Sequence, residues 1–451
     1  MAIVSDQKQE EINSRIDPAT SSSAEAMPEM VQLEEDLVPK APGDMDDLGV
    51  DFSVLCNLAL KLASTVPQFR TDWAATELRL PLQIVEKIYW QLKQDKLVEI
   101  LGQDGVFLYR YSTTERGREF AKRLLEISGY VGPAPVSLEA YTAMIGWQVE
   151  RQPEIDLESV QEALSHLVIP ESSVRVAALA ASSGRSLFLF GPAGNGKTTM
   201  GQSLHKVMKG ELWIPYCLSI ENMIIRIHDP QCHILYNDTE PKGNYDRRWI
   251  RIHRPLIIAG GEMTMEELDL VFNPGQRFYE SPPHVKANGG TFLIDDFGRQ
   301  RMEPHELLNR WIVPLERRVD FLSLNTGQKI EIPFELMLVV ATNLTVEEVA
   351  DPAFLRRMGY RLHLDLPTAE QYREIFDRCA KAAGVEVPSD LVPWMVSRYE
   401  SEGRDLRASE PNELIQRAKD ICKICCWDFQ LTQHIMELAW EGYFGNPTLS
   451  K

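Results

Sequence analysis

The chain has 451 residues, 44% hydrophobic and 25% charged, the balance of a protein folded in water and too long for one ordinary core, so two or three folded units are expected. With 66 acids against 47 bases its net charge is −19, which opposes non-specific binding to phosphate backbones and points to protein partners. The opening MAIVSDQKQEE has neither basic nor apolar leader character, and no apolar run nears the roughly 20 residues of a membrane helix, so no membrane insertion and a cytoplasmic location are expected.

Residues 1–48 are acid-rich, poor in aromatics and carry the run Ser21 to Ser23. Such a composition buries little surface, and a disordered acidic tail is expected. Within 49–132, apolar residues at helical spacing (Leu55, Leu58, Leu62), a short helix after Thr71 and a longer one through Ile84, Ile88 and Leu92 precede two strand-like runs. Those runs, LVEILGQ and GVFLYRYS, join across Asp104-Gly105, which supplies the positive φ of a tight hairpin turn. A helix from Thr114 to Ser128 closes the unit, and the pattern is that of a winged-helix domain. Between Asp51 and Gly129 stand eleven Lys or Arg and ten Asp or Glu, with no basic stripe on the third helix. Protein docking is therefore favoured over DNA binding, and nucleic acid stays an open alternative.

Gly132-Pro133-Ala134-Pro135 reads as a stiff, exposed connector, opening a stretch, 133–170, that serves as linker and the start of the next unit. That unit, 171–366, holds the most informative phrase of the chain. In SLFLFGPAGNGKTT a short buried strand, Ser186 to Phe190, runs into Gly191, Pro192, Ala193, Gly194, Asn195, Gly196, Lys197, Thr198 and Thr199, a full GxxxxGK[ST] loop opening a helix through Met200 and Leu204. Glycines let successive backbone N–H groups turn around phosphate oxygens at a helix N-terminus. Lys197 is placed to reach β- and γ-phosphates, and the Thr198 hydroxyl to ligate Mg²⁺, so ATP with Mg²⁺ is the expected ligand.

The strand Thr291 to Ile294 ends in Asp295 and Asp296. Asp295 is the candidate for the Mg²⁺ water shell and Asp296 for polarising the attacking water, although Asp is one methylene shorter than the Glu common at that place. ELMLVVATN is another apolar strand, whose terminal Asn343 can hydrogen-bond a γ-phosphate and orient water. In DPAFLRRMGYRL, Arg356 and Arg357 end a short helix, either as cations at a helix C-terminus or as arginine fingers for a neighbouring subunit. The basic residues Arg247, Arg248, Arg251 and Arg254 serve either substrate or neighbour contact or the scaffold, and Asn325-Thr326-Gly327 predicts a hairpin. Beyond Pro367 a helical unit, 367–451, opens with Thr368 and Ser389. Its Cys422, Cys425 and Cys426 read as small apolar residues of a buried helix face.

The order of these elements, with VKANGGTFLIDDFGRQ at the second acid-bearing strand, resembles the AAA+ superfamily, nearest its MoxR-like and sigma-dependent-activator-like branches. GRSLFLFGPAGNGKTT, LLNRWIVPLERRVDFL and AFLRRMGYRLHLDLPT resemble bacterial ATPases with chaperone activity associated with Flp pilus assembly, over a span that covers the winged-helix region, including YVGPAPV, through the lid. The resemblance implies an α/β fold with an AAA+ P-loop core, its parallel sheet flanked by helices, an N-terminal winged-helix domain and a C-terminal helical lid. It also implies a homo-oligomeric ring hydrolysing ATP to remodel a protein partner. One position departs: where that family carries His-Pro-Arg-Asp-Leu, this chain has Glu410-Pro411-Asn412-Glu413-Leu414. The lid arginine is replaced by Asn412, leaving Arg404 or Arg407 as substitutes. Slow hydrolysis, with ATP acting as an assembly switch, is the alternative this departure raises, and a DNA-binding ATP-dependent regulator is the other.

Overall fold

The computed structural model describes residues 26–34, 36–105, 108–220, 223–237, 240–324, 327–345 and 352–445. Its first elements lie where an unstructured tail was expected: β1 (Met30–Leu33) and β2 (Asp36–Pro39) form an antiparallel hairpin. Of the 1–48 span, residues 1–25 lie outside the described ones, and the remainder is a correction. Acid content alone misleads here, because Val38 is fully buried, Trp213 Nε1 donates to Leu37 O at 3.2 Å, and Arg251 meets Asp36 at 2.6 Å. A hairpin whose partners come from residues some 200 positions later has no local signature.

Next come α1 (Phe52–Ala63), β3 (Phe69–Arg70), α2 (Thr71–Leu78) and α3 (Leu82–Gln94), then β4 (Val98–Gly105), β5 (Leu108–Thr113) and α4 (Glu115–Ile127). The three strands form an antiparallel sheet in the order β3-β5-β4. Asp51 and Thr114 cap α1 and α4 by accepting from Ser53 and Gly117 N–H groups. Asp104-Gly105 is not the turn. Pairing continues to Gly105 opposite Leu108, so both residues belong to the ladder.

The expected exposed connector is also corrected. Ala134 is 1% exposed, its N–H donates to Leu78 O at 2.8 Å, and Pro135 O accepts from Arg248 Nη1 at 3.1 Å. This segment runs through β6 (Val136–Ser137) into α5 (Leu138–Glu150), and it is buried because a second sheet packs over it. That sheet, in the order β13-β14-β10-β9-β6, uses β9 (Cys217–Ile220), β10 (Met223–Arg226), β13 (Val271–Asn273) and β14 (Phe278–Glu280). Cys217, Ile224 and Phe278 of this sheet share one hydrophobic cluster with Leu58, Ile84 and Tyr111 of the N-terminal unit. Gly129 N–H donates to Arg277 O at 2.9 Å across the same boundary.

Of the basic residues near 250, Arg248, Arg251 and Arg254 belong to the scaffold, being 4%, 8% and 6% exposed, whereas Arg247 is exposed. Arg248 pairs with buried Asp246 at 2.7 Å and donates to Leu48 O and Pro135 O. Arg251 and Trp213 sit on a two-stranded ladder of β8 (Glu211–Pro215) and β11 (Trp249–His253).

The central sheet is parallel throughout, in the order β12-β15-β18-β7-β19, built from β7 (Leu187–Phe190), β12 (Leu256–Ala259), β15 (Thr291–Ile294), β18 (Met337–Thr342) and β19 (Tyr360–His363). Alternate residues enter two separate cores: Leu187, Leu189, Leu293 and Val339 on one face, Phe188, Phe292, Ile294 and Val340 on the other. That double burial explains why these strands read as unbroken apolar runs. Helices α6 (Leu157–Leu164), α7 (Glu171–Ser183) and α8 (Lys197–His205) supply the first face, and α10 (Pro304–Arg317), after the single turn α9 (Pro283–Lys286), covers the second. Strands β16 (Val319–Ser323) and β17 (Lys329–Pro333) form the hairpin expected around Gly327, whose φ is +83°. Asn325 and Thr326 lie outside the described residues.

After the short α11 (Pro352–Leu355) and β19, four helices close the chain: α12 (Ala369–Ala383), α13 (Leu391–Glu402), α14 (Glu410–Cys425) and α15 (Gln433–Phe444). Thr368 and Gln371 form a reciprocal capping box on α12, while Asp390 rather than Ser389 precedes α13. The unit has its own core of Tyr372, Phe376, Tyr399, Leu414 and Trp440. Cys422 joins that core, but Cys425 and Cys426 are exposed, which corrects their expected burial. The chain is thus α/β, as expected for an AAA+ core: a parallel sheet flanked by helices, followed by a helical C-terminal part. Among the described residues no helix is long and apolar enough to cross a membrane.

Removing one partner of a buried pair strands the other charge at a cost of about 3–5 kcal/mol. Arg248→Met should therefore lower the urea midpoint by that equivalent. A loss below about 1 kcal/mol would show that this pair does not join the N-terminal unit to the second sheet.

Candidate nucleotide site

Strand β7 ends in a buried position and cannot continue as strand, because Gly191, Gly194 and Gly196 take φ of +131°, +82° and +82°. At Gly191 even a methyl is excluded, since a Cβ would lie 2.4 Å from Leu364 O. Gly196 is the left-handed residue before α8, so the first amides of that helix, which have no intrahelical acceptors, open onto the loop. Lys197 is 7% exposed and its Nζ donates to Gly191 O at 2.8 Å and Pro192 O at 2.7 Å. Burial draws its pKa below the ordinary lysine value, against the opposing pull of Asp296 and Asp295.

Three adjacent strands bring the acid residues and Asn343 to this loop. Thr198 Oγ1 donates to Asp295 Oδ1 at 2.7 Å, joining the start of α8 to the end of β15. Asp295 N–H is held by Ala259 O of the edge strand at 2.8 Å. Asp296 follows with φ of +48°, a left-handed conformation for a non-glycine residue, and its N–H donates to Asp295 Oδ1 at 3.0 Å. From the end of β18, Asn343 Nδ2 donates to Asp296 Oδ1 at 3.1 Å, while Arg299 Nη1 stands 3.8 Å from Asp296 Oδ2.

These groups line a cavity of about 760 Å³ together with residues of two other parts of the chain. These are His166, Leu167, Val168 and Ile169, ahead of α7, with Ile375 and Cys379 of α12 and Ala408, Ser409 and Asn412 at α14. The Ala193–Thr199 stretch, Asp295, Asp296 and Asn343 all line it, so the geometry brings together most of the residues singled out by sequence. The Thr198 hydroxyl and Asp295 carboxylate are hard oxygen donors in contact beside the loop, a set that fits Mg²⁺, which binds through one or two protein oxygens plus phosphates and water.

Arg356 and Arg357 do not reach this cavity. Arg356 is exposed, and Arg357 Nε donates to Glu316 Oε2 of α10 at 3.2 Å. Arg404 is engaged elsewhere, bound to Glu402 at 2.7 Å and lying over the Phe444 ring at 4.3 Å. Arg407 is the one whose side chain passes the loop: Cβ and Cδ lie 3.7 Å from the position of a Cβ on Gly194. Sequence reasoning missed Arg299, although its place three residues after Asp296 was visible. It also missed His166–Ile169, Ile375, Cys379, Ala408 and Ser409, which no motif marks, because only the folding of α6, α12 and α14 against the loop brings them there.

His205, on α8, packs its Nδ1 3.0 Å from Thr291 Oγ1 of β15, bracing the loop helix against the strand that carries Asp295. Burial pushes its pKa down from 6.5 to about 4, and burial does the same for His228. The unfolded chain then binds more protons than the folded one between pH 6.5 and 4, so stability is complete above this window and is lost as pH falls through it. Thermal unfolding should shift down across that interval by as much as about 1.4 kcal/mol per pH unit for each group. His205→Gln should flatten the slope, and an unchanged slope would assign it to other groups.

A family model described as a domain of unknown function, DUF8689, matches residues 368–442, the four C-terminal helices. No curated protein matches the sequence. Among solved structures, the Holliday junction branch migration motor RuvB of Thermotoga maritima is 15% identical, over 64% of this chain and 72% of that one, with a TM-score of 0.35. A mutant of the same protein gives 16%, 64%, 73% and 0.36. NtrX from Brucella abortus in complex with ATP is 13% identical, over 71% of this chain and 62% of that one, with a TM-score of 0.37. Likeness at this level carries nothing about activity.

Proposed function

We propose that this protein binds ATP with Mg²⁺ and hydrolyses it, as an AAA+ machine that remodels or assembles a protein partner. The observation that supports this most is the convergence of Lys197, Thr198, Asp295, Asp296 and Asn343 at one cavity from β7, β15 and β18. Glycine-bearing loop amides and a buried lysine are the groups that bind a triphosphate. In this reading Lys197 leaves its loop carbonyls for the β- and γ-phosphates, and Thr198 and Asp295 hold Mg²⁺. That ion supplies charge neutralisation between the terminal phosphates. Asp296 polarises the attacking water, and its left-handed backbone with the Asn343 contact fixes where a short carboxylate can reach. Arg299, held by Asp296, adds a cation within the same subunit.

Arg356 and Arg357, placed outside the cavity, suit a role in a neighbouring copy's site, which supports a homo-oligomeric ring. The unit 49–132, read as a winged helix, serves as a docking platform for the protein partner. A chaperone role related to pilus assembly or secretion fits the sequence resemblance, and the cytoplasm is the compartment in which seven free cysteines stay reduced. A second reading, a slow nucleotide switch, draws support from the neutral Asn412 at the cavity wall where the resemblance expects an arginine.

Lys197→Ala should abolish ATP binding in titration calorimetry, while Asp296→Asn should bind ATP and lose at least about 100-fold in turnover. Specific activity should rise with protein concentration if arginines act across subunits. Unchanged ATP affinity in the lysine variant would sink the site assignment; retained binding with no turnover at any concentration would select the switch.

A further inference from the structure

The helix that lacks the expected arginine touches the phosphate loop in another way. Ser409 N–H, at the start of α14, donates to Gly194 O at 2.9 Å, and the preceding Ala408 N–H donates to Asn195 Oδ1 at 3.4 Å. Two consecutive lid amides thus rest on two consecutive loop residues. The seat is closely fitted: Gly194 has φ of +82°, and a Cβ there would stand 2.6 Å from Ser409 Oγ. Asn195 is 7% exposed, and among the described residues its Nδ2 has no partner and Ala408 is the one hydrogen-bond partner of its carboxamide.

Behind this contact the lid is braced. Glu410, 4% exposed, accepts from Tyr399 Oη at 2.7 Å, and Tyr399 in turn accepts from Tyr372 Oη at 3.2 Å. This chain of contacts runs from α14 through α13 to α12, the helix that lines the cavity with Ile375 and Cys379. Arg404 takes no part in it, being held by Glu402 and Phe444.

We infer that Asn195 and Ser409 are positioning residues that form a neutral joint, by which the phosphate loop moves the helical lid in place of an arginine reading the γ-phosphate. The inference rests on the nucleotide reading of the cavity. Any shift of Gly194 and Asn195 around a phosphate pulls on the Ala408 and Ser409 amides, and Glu410 passes that pull to the two tyrosines. Arg407 flanks the joint, its Cβ and Cδ 3.7 Å from the position of a Cβ on Gly194.

Hydrogen exchange on the full chain tests this, with and without MgADP at a concentration that saturates each variant. In the unaltered chain the amides of Ala408 and Ser409 should exchange slowly, and at least tenfold more slowly with MgADP. Asn195→Ala should speed them at least tenfold without nucleotide and remove the MgADP effect across α14. Asn195→Asp, which keeps the accepting oxygen, should restore slow exchange without nucleotide. Ser409→Pro deletes the other donor, and the native φ of −78° suits proline; it should uncouple α14 in the same way. Unaltered exchange in both Asn195→Ala and Ser409→Pro would overturn the joint, and uncoupling by Ser409→Pro alone would overturn the role of Asn195. Failure of the unaltered chain to bind MgADP would remove the nucleotide reading, while the nucleotide-free comparison of Asn195→Ala would still decide whether the joint exists.

Discussion

The contact on which the site depends is the 2.7 Å hydrogen bond from Thr198 to Asp295. It fastens the first turn of α8 to the end of β15, and so fixes the loop that precedes α8 relative to the acids that follow β15. Around it each neighbour has a single place to stand. Gly191 must lie against Leu364 O, Lys197 must fold back over the loop carbonyls, and Asp296 must turn into the left-handed region to face Asn343. The parallel register of β7 with β18 and of β18 with β15 is what brings these chain ends to the same edge of the sheet.

The charge arrangement explains why such a site needs a cation beyond its lysine. Two carboxylates, Asp295 and Asp296, face the place where phosphates would lie, within a chain of net charge −19. Lys197 is buried, and burial lowers its pKa against the pull of the two carboxylates. Asp296 is partly balanced by Arg299 and Asn343, whereas Asp295 receives hydrogen bonds from Thr198 and from the Asp296 amide. A hard divalent ion completes that balance with oxygen donors already in contact.

What could be read from the sequence was whatever the chain writes locally. The loop from Gly191 to Thr199 combines a strand, glycines and a helix start within one short span, and the strands Thr291–Ile294 and Met337–Thr342 announce double burial by being apolar at every position but the threonines at their ends. Thr368 and Gln371 mark a helix start in the same way. What escaped depends on distant partners. Val38 is buried by residues far along the chain, and Arg248, Arg251 and Arg254, which the sequence leaves open between contact and scaffold, turn inward to acids and carbonyls supplied by other segments. Asp104-Gly105 carries the chemistry of a turn but sits inside a ladder whose register is set by β3 and β5. Ala408 and Ser409 have no motif because they act through backbone amides, which every residue but proline possesses.

The burial of Gly132–Pro135 alters how force would pass through the molecule. The segment was expected to be a tether, yet its Pro135 carbonyl accepts from Arg248 and its flanking residues complete a core shared by the N-terminal helices and the second sheet. Gly129 is seated so closely that a methyl would meet Gln276 O at 2.1 Å. A limb fixed by shared core and buried charge has no slack to take up. On the proposed reading, a partner gripped by the N-terminal unit would therefore travel with the body that carries the nucleotide site as cargo on a rigid arm, and the work of each cycle would reach it undiminished by the coiling of a linker.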